Sequence, residues 1–218
     1  MSLRKKVFVP SEYYHIYNRG NSKQKIFHDE EDYIRFLDLL YISNSFEKFN
    51  IFDIRKFSNV CENERGDLLV YIGAYVIMPN HFHILISQTE DGSISKFMQK
   101  LTTGYAMYYN QKYKRTGSLF EGKFKSTHIS NNIFLKYLFS YIHLNPIKLI
   151  QSKWKEEGIK DKKEAIEYLD GYLYSSYFDY KGIKRFHSSI LTKEEFPKYF
   201  PNRKAFDTEI FEWINYQN

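Results

Sequence analysis

The chain has 218 residues, one cysteine and a formal net charge of +6. That length suits one domain with additions and can bury a substantial core, while a lone cysteine excludes a disulfide scaffold or a thiolate zinc cage. The opening, MSLRKKVFVPSEYYH, is basic but lacks the apolar stretch of a signal peptide, and no segment is apolar for long enough to span a bilayer, so the expectation is a cytoplasmic protein that does not enter membranes.

The first apolar segment, Tyr13 to Tyr17, reads as a short strand that ends in the turn residues Asn18, Arg19, Gly20 and Asn21. Asp29 to Phe46 reads as a helix, with acids in its first turn and Tyr33, Phe36, Leu37, Leu40 and Tyr41 on one face. Glu47 to Asp67 is the least regular stretch. Leu68 to Met78 and His81 to Gln88 read as two strands joined by a tight Pro79-Asn80 turn. Ser93 to Tyr113 is helical, Gly122 to Ser130 a strand, and Asn132 to Leu144 a further helix. The order β-α-β-β-α-β plus a helix predicts an α+β, ferredoxin-like (split βαβ) domain, its antiparallel strands covered by helices on one face. Beyond it lie a further expected helix near Lys162 to Leu169, the aromatic stretch DGYLYSSYFDY and a mixed tail, read as an accessory layer.

Charge is unevenly spread. Between Ser93 and Ile150 there are nine Lys or Arg and one acid, Glu121, so this segment carries +8 while the remainder sums to −2. Such a concentration attracts polyanions, nucleic acid foremost, although a solvated basic face is the plainer reading. The 20 tyrosines and 19 phenylalanines can stack unpaired bases, but most must form core.

Chemistry is most legible at His81 and His83. A strand sends alternate side chains to one face, so the two imidazoles project together and can share a divalent ion. Histidine is often buried and simply hydrogen-bonded, and a metal site needs further ligands. Tyr141 and Asn145, four apart near the end of the last core helix, share one helical face. Asn145 can offer an amide oxygen as third ligand, or can merely end the helix before Pro146. Tyr141 can stand beside a bound phosphate, or be one more core aromatic. Tyr137 shares its face one turn earlier, whereas His143 points about 200° away.

MPNHFHILI followed by YIHLNPIK resembles the single-tyrosine HUH transposases, particularly the REP-associated tyrosine transposases. YHIYNRGNSKQKIF, GSLFEGKFKS and YSSY at 174 to 177 extend the resemblance in the same order over roughly residues 11 to 180. It implies a catalytic domain at 1–180 and an accessory extension at 181–218. It further implies His81, His83 and Asn145 as metal ligands and Tyr141 as a nucleophile that cuts and rejoins single-stranded DNA near hairpins through a 5′-phosphotyrosine. Magnesium is the implied ion, with manganese expected to substitute on ligand grounds. The phosphate contacts expected are Arg19, Lys112, Lys114, Arg115, Lys123 and Lys125. Resembling proteins include homodimers and monomers. A non-catalytic binder of structured single strands on the same fold is the competing reading; a hydrolase using activated water lacks a supporting carboxylate cluster.

Overall fold

The computed structural model describes residues 7–48 and 64–215, so the irregular stretch expected from Glu47 to Asp67 lies largely outside the described residues. Four strands form one antiparallel sheet: β1 (Tyr13–Arg19), β2 (Val70–Met78), β3 (His81–Gln88) and β4 (Lys125–Ile129), in the order β2-β3-β1-β4. Helices α1 (Glu30–Ile42), α2 (Ser93–Lys112) and α3 (Asn132–Leu144) complete the ferredoxin-like core. No helix among the described residues is long and apolar enough to cross a membrane.

The helices do not share one face. Even-numbered positions of β1 and β3, such as Ile16, Phe82, Ile84 and Ile86, enter a core with Phe36, Leu40, Phe97 and Tyr105 of α1 and α2. The opposite face, with Ala74, Val76, Met78 and Leu85, packs under Leu135, Leu138, Phe139 and Ile142 of α3. A sheet buried on both faces needs two helical layers, and the all-round apolar character of β2 and β3 supplies the matching surfaces.

Local chemistry sets the helix ends. Asp29 caps α1 by accepting from the Asp32 N–H, and Glu30, Glu31 and Asp32 lie in its first turn, where the helix dipole favours acids. α1 stops at Ile42, short of the expected Phe46. Asn44 instead pairs its amide with both backbone groups of Val70 at 2.8 Å, tying the helix exit to the start of β2. Asn131 caps α3 through the Phe134 N–H at 2.8 Å. β4 begins later than expected, after the turn through Gly122, whose φ of +69° suits glycine.

The tip between β2 and β3 is held from outside. The Pro79 carbonyl accepts from the Ile26 and Phe27 N–H groups, the Asn80 carbonyl accepts from Gly20 N–H at 2.8 Å, and the Asn80 side-chain amide donates to the Lys23 carbonyl. The loop after β1 is thereby clamped to the hairpin. Gly20 lets this loop fold back on itself, since a Cβ there would run into the Gln24 carbonyl oxygen and the Ile26 side chain.

The segment after α3 runs through α4 (Trp154–Glu157), α5 (Lys162–Gly171), α6 (Tyr177–Tyr180) and α7 (Arg203–Asn215). Along the outer edge of β2, Ile77 N–H donates to the Tyr174 carbonyl, Tyr75 N–H to the Ser176 hydroxyl and Ile72 N–H to the Thr192 hydroxyl. The YSSY sequence thus covers an edge strand. Residues beyond 180 reach both cores, Ile190 on the α1/α2 side and Phe196 on the α3 side.

Phe139 joins α3 to this later segment, with ring centroids 5.7–6.1 Å from those of Tyr180, Phe196, Tyr199 and Phe200. Phe139→Ala is expected to lower stability by about 3–5 kcal/mol, read from a denaturant titration, because the ring is fully enclosed. A loss under 1 kcal/mol would show that α3 is anchored elsewhere.

Candidate functional site

His81 and His83 occupy alternate positions of β3 on the α3 face, and their ring centroids lie 5.0 Å apart. The Tyr141 ring of the same chain stands 5.5 Å from the His83 ring. Asn145 is the C-terminal cap of α3 and opens a 3₁₀ turn, Asn145–Leu149, with Pro146 at its start. Helix termination and inward placement therefore coincide: the Asn145 residue is 2% exposed.

Each histidine has its Nδ1 engaged. His81 Nδ1 lies 2.6 Å from the Asn80 side-chain oxygen, and His83 Nδ1 lies 2.8 Å from His15 Nε2. An imidazole that donates from Nδ1 keeps its lone pair on Nε2, which is the tautomer a metal requires. Burial pushes the His81 pKa down to about 4, with the Lys148 charge adding to it, and burial holds His83 well below the ordinary value, His15 and His81 adding to that. Both rings are neutral near pH 7.

The Asn145 amide acts on two neighbours, opposing the downward shift of His81 and the upward shift that burial imposes on Tyr141. Its Oδ1 is nevertheless buried without a hydrogen-bond partner of its own. A buried amide oxygen left unpaired costs about 1–3 kcal/mol, and a cation would relieve it. Among the described residues no three His, Cys, Asp or Glu side chains cluster as a metal centre, so a site at His81 and His83 must take its third ligand from another residue type. Two neutral imidazoles and an amide oxygen fit a divalent ion that retains other positions for substrate.

These residues stand at one wall of a cleft of about 800 Å³ lined by His81, His83 and Tyr141 and by the cations Arg19, Lys23, Lys25, Lys125 and Lys148. Glu121 is the single carboxylate of its lining, and it forms a two-pronged ion pair with Arg19. Of the six basic residues expected to grip phosphates, Arg19 and Lys125 line this cleft; Lys112, Lys114, Arg115 and Lys123 do not. Lys112 is held instead by Asp29, Glu31 and the fully buried Asp32 at 2.8–3.0 Å. Arg115 lies over the Tyr109 ring. Three further cations line the cleft: Lys148, which was counted in the basic segment but not named as a phosphate contact, and Lys23 and Lys25, which arrive on the loop clamped to the hairpin tip.

His15 was not anticipated either. It sits on β1, two residues from the position opposite His83, and its ring lies 6.1 Å from Tyr141. Burial, then the Lys155 charge, lowers its pKa to about 4. Lys155 itself places its ammonium 3.8 Å from the Tyr141 ring centroid. Tyr137 stacks on Tyr141 but does not line the cleft. His143 lies apart from the site, fully buried and 2.8 Å from the Ser176 hydroxyl.

The sequence model of IS200-like transposases matches residues 8–145, a span that contains β1, the His81-Phe82-His83 strand, Tyr141 and Asn145. The chain belongs to the IS200-like transposase family. Among solved structures, a REP-associated tyrosine transposase bound to a REP hairpin is similar to this transposase with a TM-score of 0.52 and 12% identity, over 86% of this chain and 90% of that one. At that identity the likeness establishes the fold. The tRNA(His) guanylyltransferase of Saccharomyces cerevisiae aligns over 91% of this chain and 86% of its own at 12% identity, but its TM-score of 0.37 carries no argument. No protein of curated function matches the transposase sequence.

The neutral histidines make stability depend on pH. In the unfolded chain an imidazole titrates near 6.5, whereas His15 and His81 titrate near 4 when folded. Protons therefore bind the unfolded state first. Their contribution is complete above pH 6.5 and is lost as pH falls towards 4, at about 1.4 kcal/mol per unit for each histidine. Denaturant titrations from pH 7 to pH 5 should show this loss, and the double substitution His15→Gln, His81→Gln should roughly halve it, since the buried His83 and His143 keep their share. An equal slope in wild type and variant would refute the assignment.

Proposed function

We propose that this IS200-like transposase cuts and rejoins single-stranded DNA at the His81–His83–Tyr141–Asn145 site through a covalent 5′-phosphotyrosine. The observation that carries the reading is the placement of the Tyr141 ring 5.5 Å from that of His83, itself beside the neutral His81, at the wall of a cationic cleft. His81, His83 and Asn145 would hold a divalent ion, magnesium in the cell with manganese able to substitute. When bound, it supplies Lewis-acid polarisation of the scissile phosphate.

The remaining chemistry falls to side chains of the chain itself. Burial keeps Tyr141 a neutral phenol at rest, while the Asn145 amide and the Lys148 charge favour its phenolate. Tyr141 Oη attacks phosphorus as the bond to the 3′ oxygen breaks, and the proton lost by the phenol is balanced by the one gained at the new 3′-hydroxyl. The phosphodiester's energy is kept in the tyrosyl ester, so a second 3′-hydroxyl reverses the step on another strand. Arg19, Lys23, Lys25, Lys125 and Lys148 bind and orient the phosphates, and the structured hairpin in the related complex points to folded single strands as substrate. One chain supplies the whole set. Residues 1–180 form the catalytic unit in this reading, with 181–218 as an accessory extension.

The deciding experiment incubates the chain with hairpin-bearing single strands and manganese, then looks for a protein–DNA adduct on a denaturing gel. Wild type and Tyr137→Phe should form it; Tyr141→Phe should not. Absence of adduct from wild type across such strands favours a binder that does not cut. In calorimetry, manganese binding should weaken at least tenfold in Asn145→Ala and His81→Ala, and equal affinity in all three proteins removes the metal assignment.

Lys125→Gln and Lys148→Gln should each reduce the slope of log affinity against log salt by about 0.7 for a single strand. Lys112→Gln should leave that slope unchanged. A reversed pattern would move the phosphate path to the α1/α2 face.

A further inference from the structure

α3 carries a row of rings that ends at Tyr141. Phe134, Tyr137 and Tyr141 follow a helical spacing of three and four residues, and their planes are nearly parallel. The Phe134 and Tyr137 centroids are 5.8 Å apart with planes at 20°, and those of Tyr137 and Tyr141 are 6.0 Å apart at 15°. The residues that hold the helix to the sheet, Leu135, Leu138, Phe139 and Ile142, lie to one side of this row. Phe134 is 41% exposed and Ile133 is 85% exposed. Apolar helix surface usually enters a core; at Ile133 and Phe134 it is left to solvent, and Tyr137 is half-buried.

The neighbouring edge strand is open at two positions of the same face. Tyr13, His15 and Tyr17 of β1 pair in register with Ile129, Thr127 and Lys125 of β4, so these side chains share the α3 face. Thr127 and Lys125 are exposed, and Lys125 also lines the cleft. A strip of aromatic side chain and polar sheet thus runs from the start of α3 to the nucleophile and joins a surface with five cations and one carboxylate.

We propose that Phe134 and Tyr137 are a stacking track for unpaired nucleotides next to the phosphate held at Tyr141. This inference rests on the strand-cutting reading for where the phosphate lies. Aromatic faces bind any unpaired base, whereas a duplex keeps its base faces covered, so the track selects single-stranded DNA without reading its sequence. Continuity with the cationic cleft favours a nucleic acid strand over an apolar protein segment, because the cleft would leave such a segment's surroundings uncompensated.

The test uses the full chain in metal-free buffer, where strand binding is read without cleavage. The probes are a fluorescein-labelled oligodeoxythymidine, a strand carrying 2-aminopurine and a duplex of equal length. Phe134→Leu and Tyr137→Leu should each weaken single-strand binding about tenfold and relieve the 2-aminopurine quenching, with duplex affinity and the salt slope unchanged. Phe134→Trp should retain wild-type affinity. Phe134→Leu removes an exposed ring, so its thermal midpoint should match wild type and its binding result stands apart from folding.

Single-strand affinity within twofold of wild type in both leucine variants overturns the track. So does loss of self-association, rather than of strand binding, in Phe134→Leu. If wild type and both variants form adduct equally at limiting strand, the track fails and the strand-cutting reading survives. If wild type forms no adduct but the leucine variants still lose strand affinity, the cutting reading fails and the track survives.

Discussion

Burial of β3 on both faces is the constraint on which the site depends. Alternation along the strand delivers Phe82, Ile84 and Ile86 to one core and His81, His83 and Leu85 to the other side, so a one-residue slip would exchange phenylalanine for histidine. The register is protected twice over. β3 is paired along both edges, and its entry at Pro79-Asn80 is fixed by backbone bonds to Gly20, Ile26 and Phe27. Those same bonds bring Lys23 and Lys25 to the cleft. The imidazoles and part of the cationic lining are therefore positioned by one local device.

Electrostatics follow from that burial. Removing imidazoles from water penalises their charged form, and nearby Lys148 and Lys155 add to the penalty. A cleft rich in ammonium groups can coexist with neutral nitrogen donors for this reason. The Asn145 amide and one of these cations, Lys148, counter the burial of Tyr141, which favours the neutral phenol. Desolvation and positive potential act in the same direction on the histidines and in opposite directions on the tyrosine.

Much of this was legible along the chain. The bounds of β3, α2 and α3, the shared face of His81 and His83, and the tight Pro79-Asn80 turn all follow from local periodicity and turn chemistry. What escaped depends on pairings between distant segments. His15 meets His83 across 68 residues, through the register of β1 against β3. Lys112 looked like part of a basic run, yet its neighbours in space are the acids that open α1. Charge counted along a sequence omits such partners. α3 was placed correctly in sequence, but an order of elements does not state which sheet face a final helix covers.

The two sheet edges differ in a way that bears on access. β2 is closed by the chain's own return: Tyr174, Ser176 and Thr192 satisfy its outer backbone groups, while Arg185 bridges Tyr75 and Asp179 behind it. β4 is only five residues long and carries Lys125, Ser126, Thr127 and His128, polar side chains that discourage pairing with another sheet. Among the described residues no strand pairs with the outer edge of β4, which is protected by polarity. Tyr141 and the histidines lie on the face that continues to this edge, so among the described residues closure at β2 and polarity at β4 leave the site approachable from the β4 side.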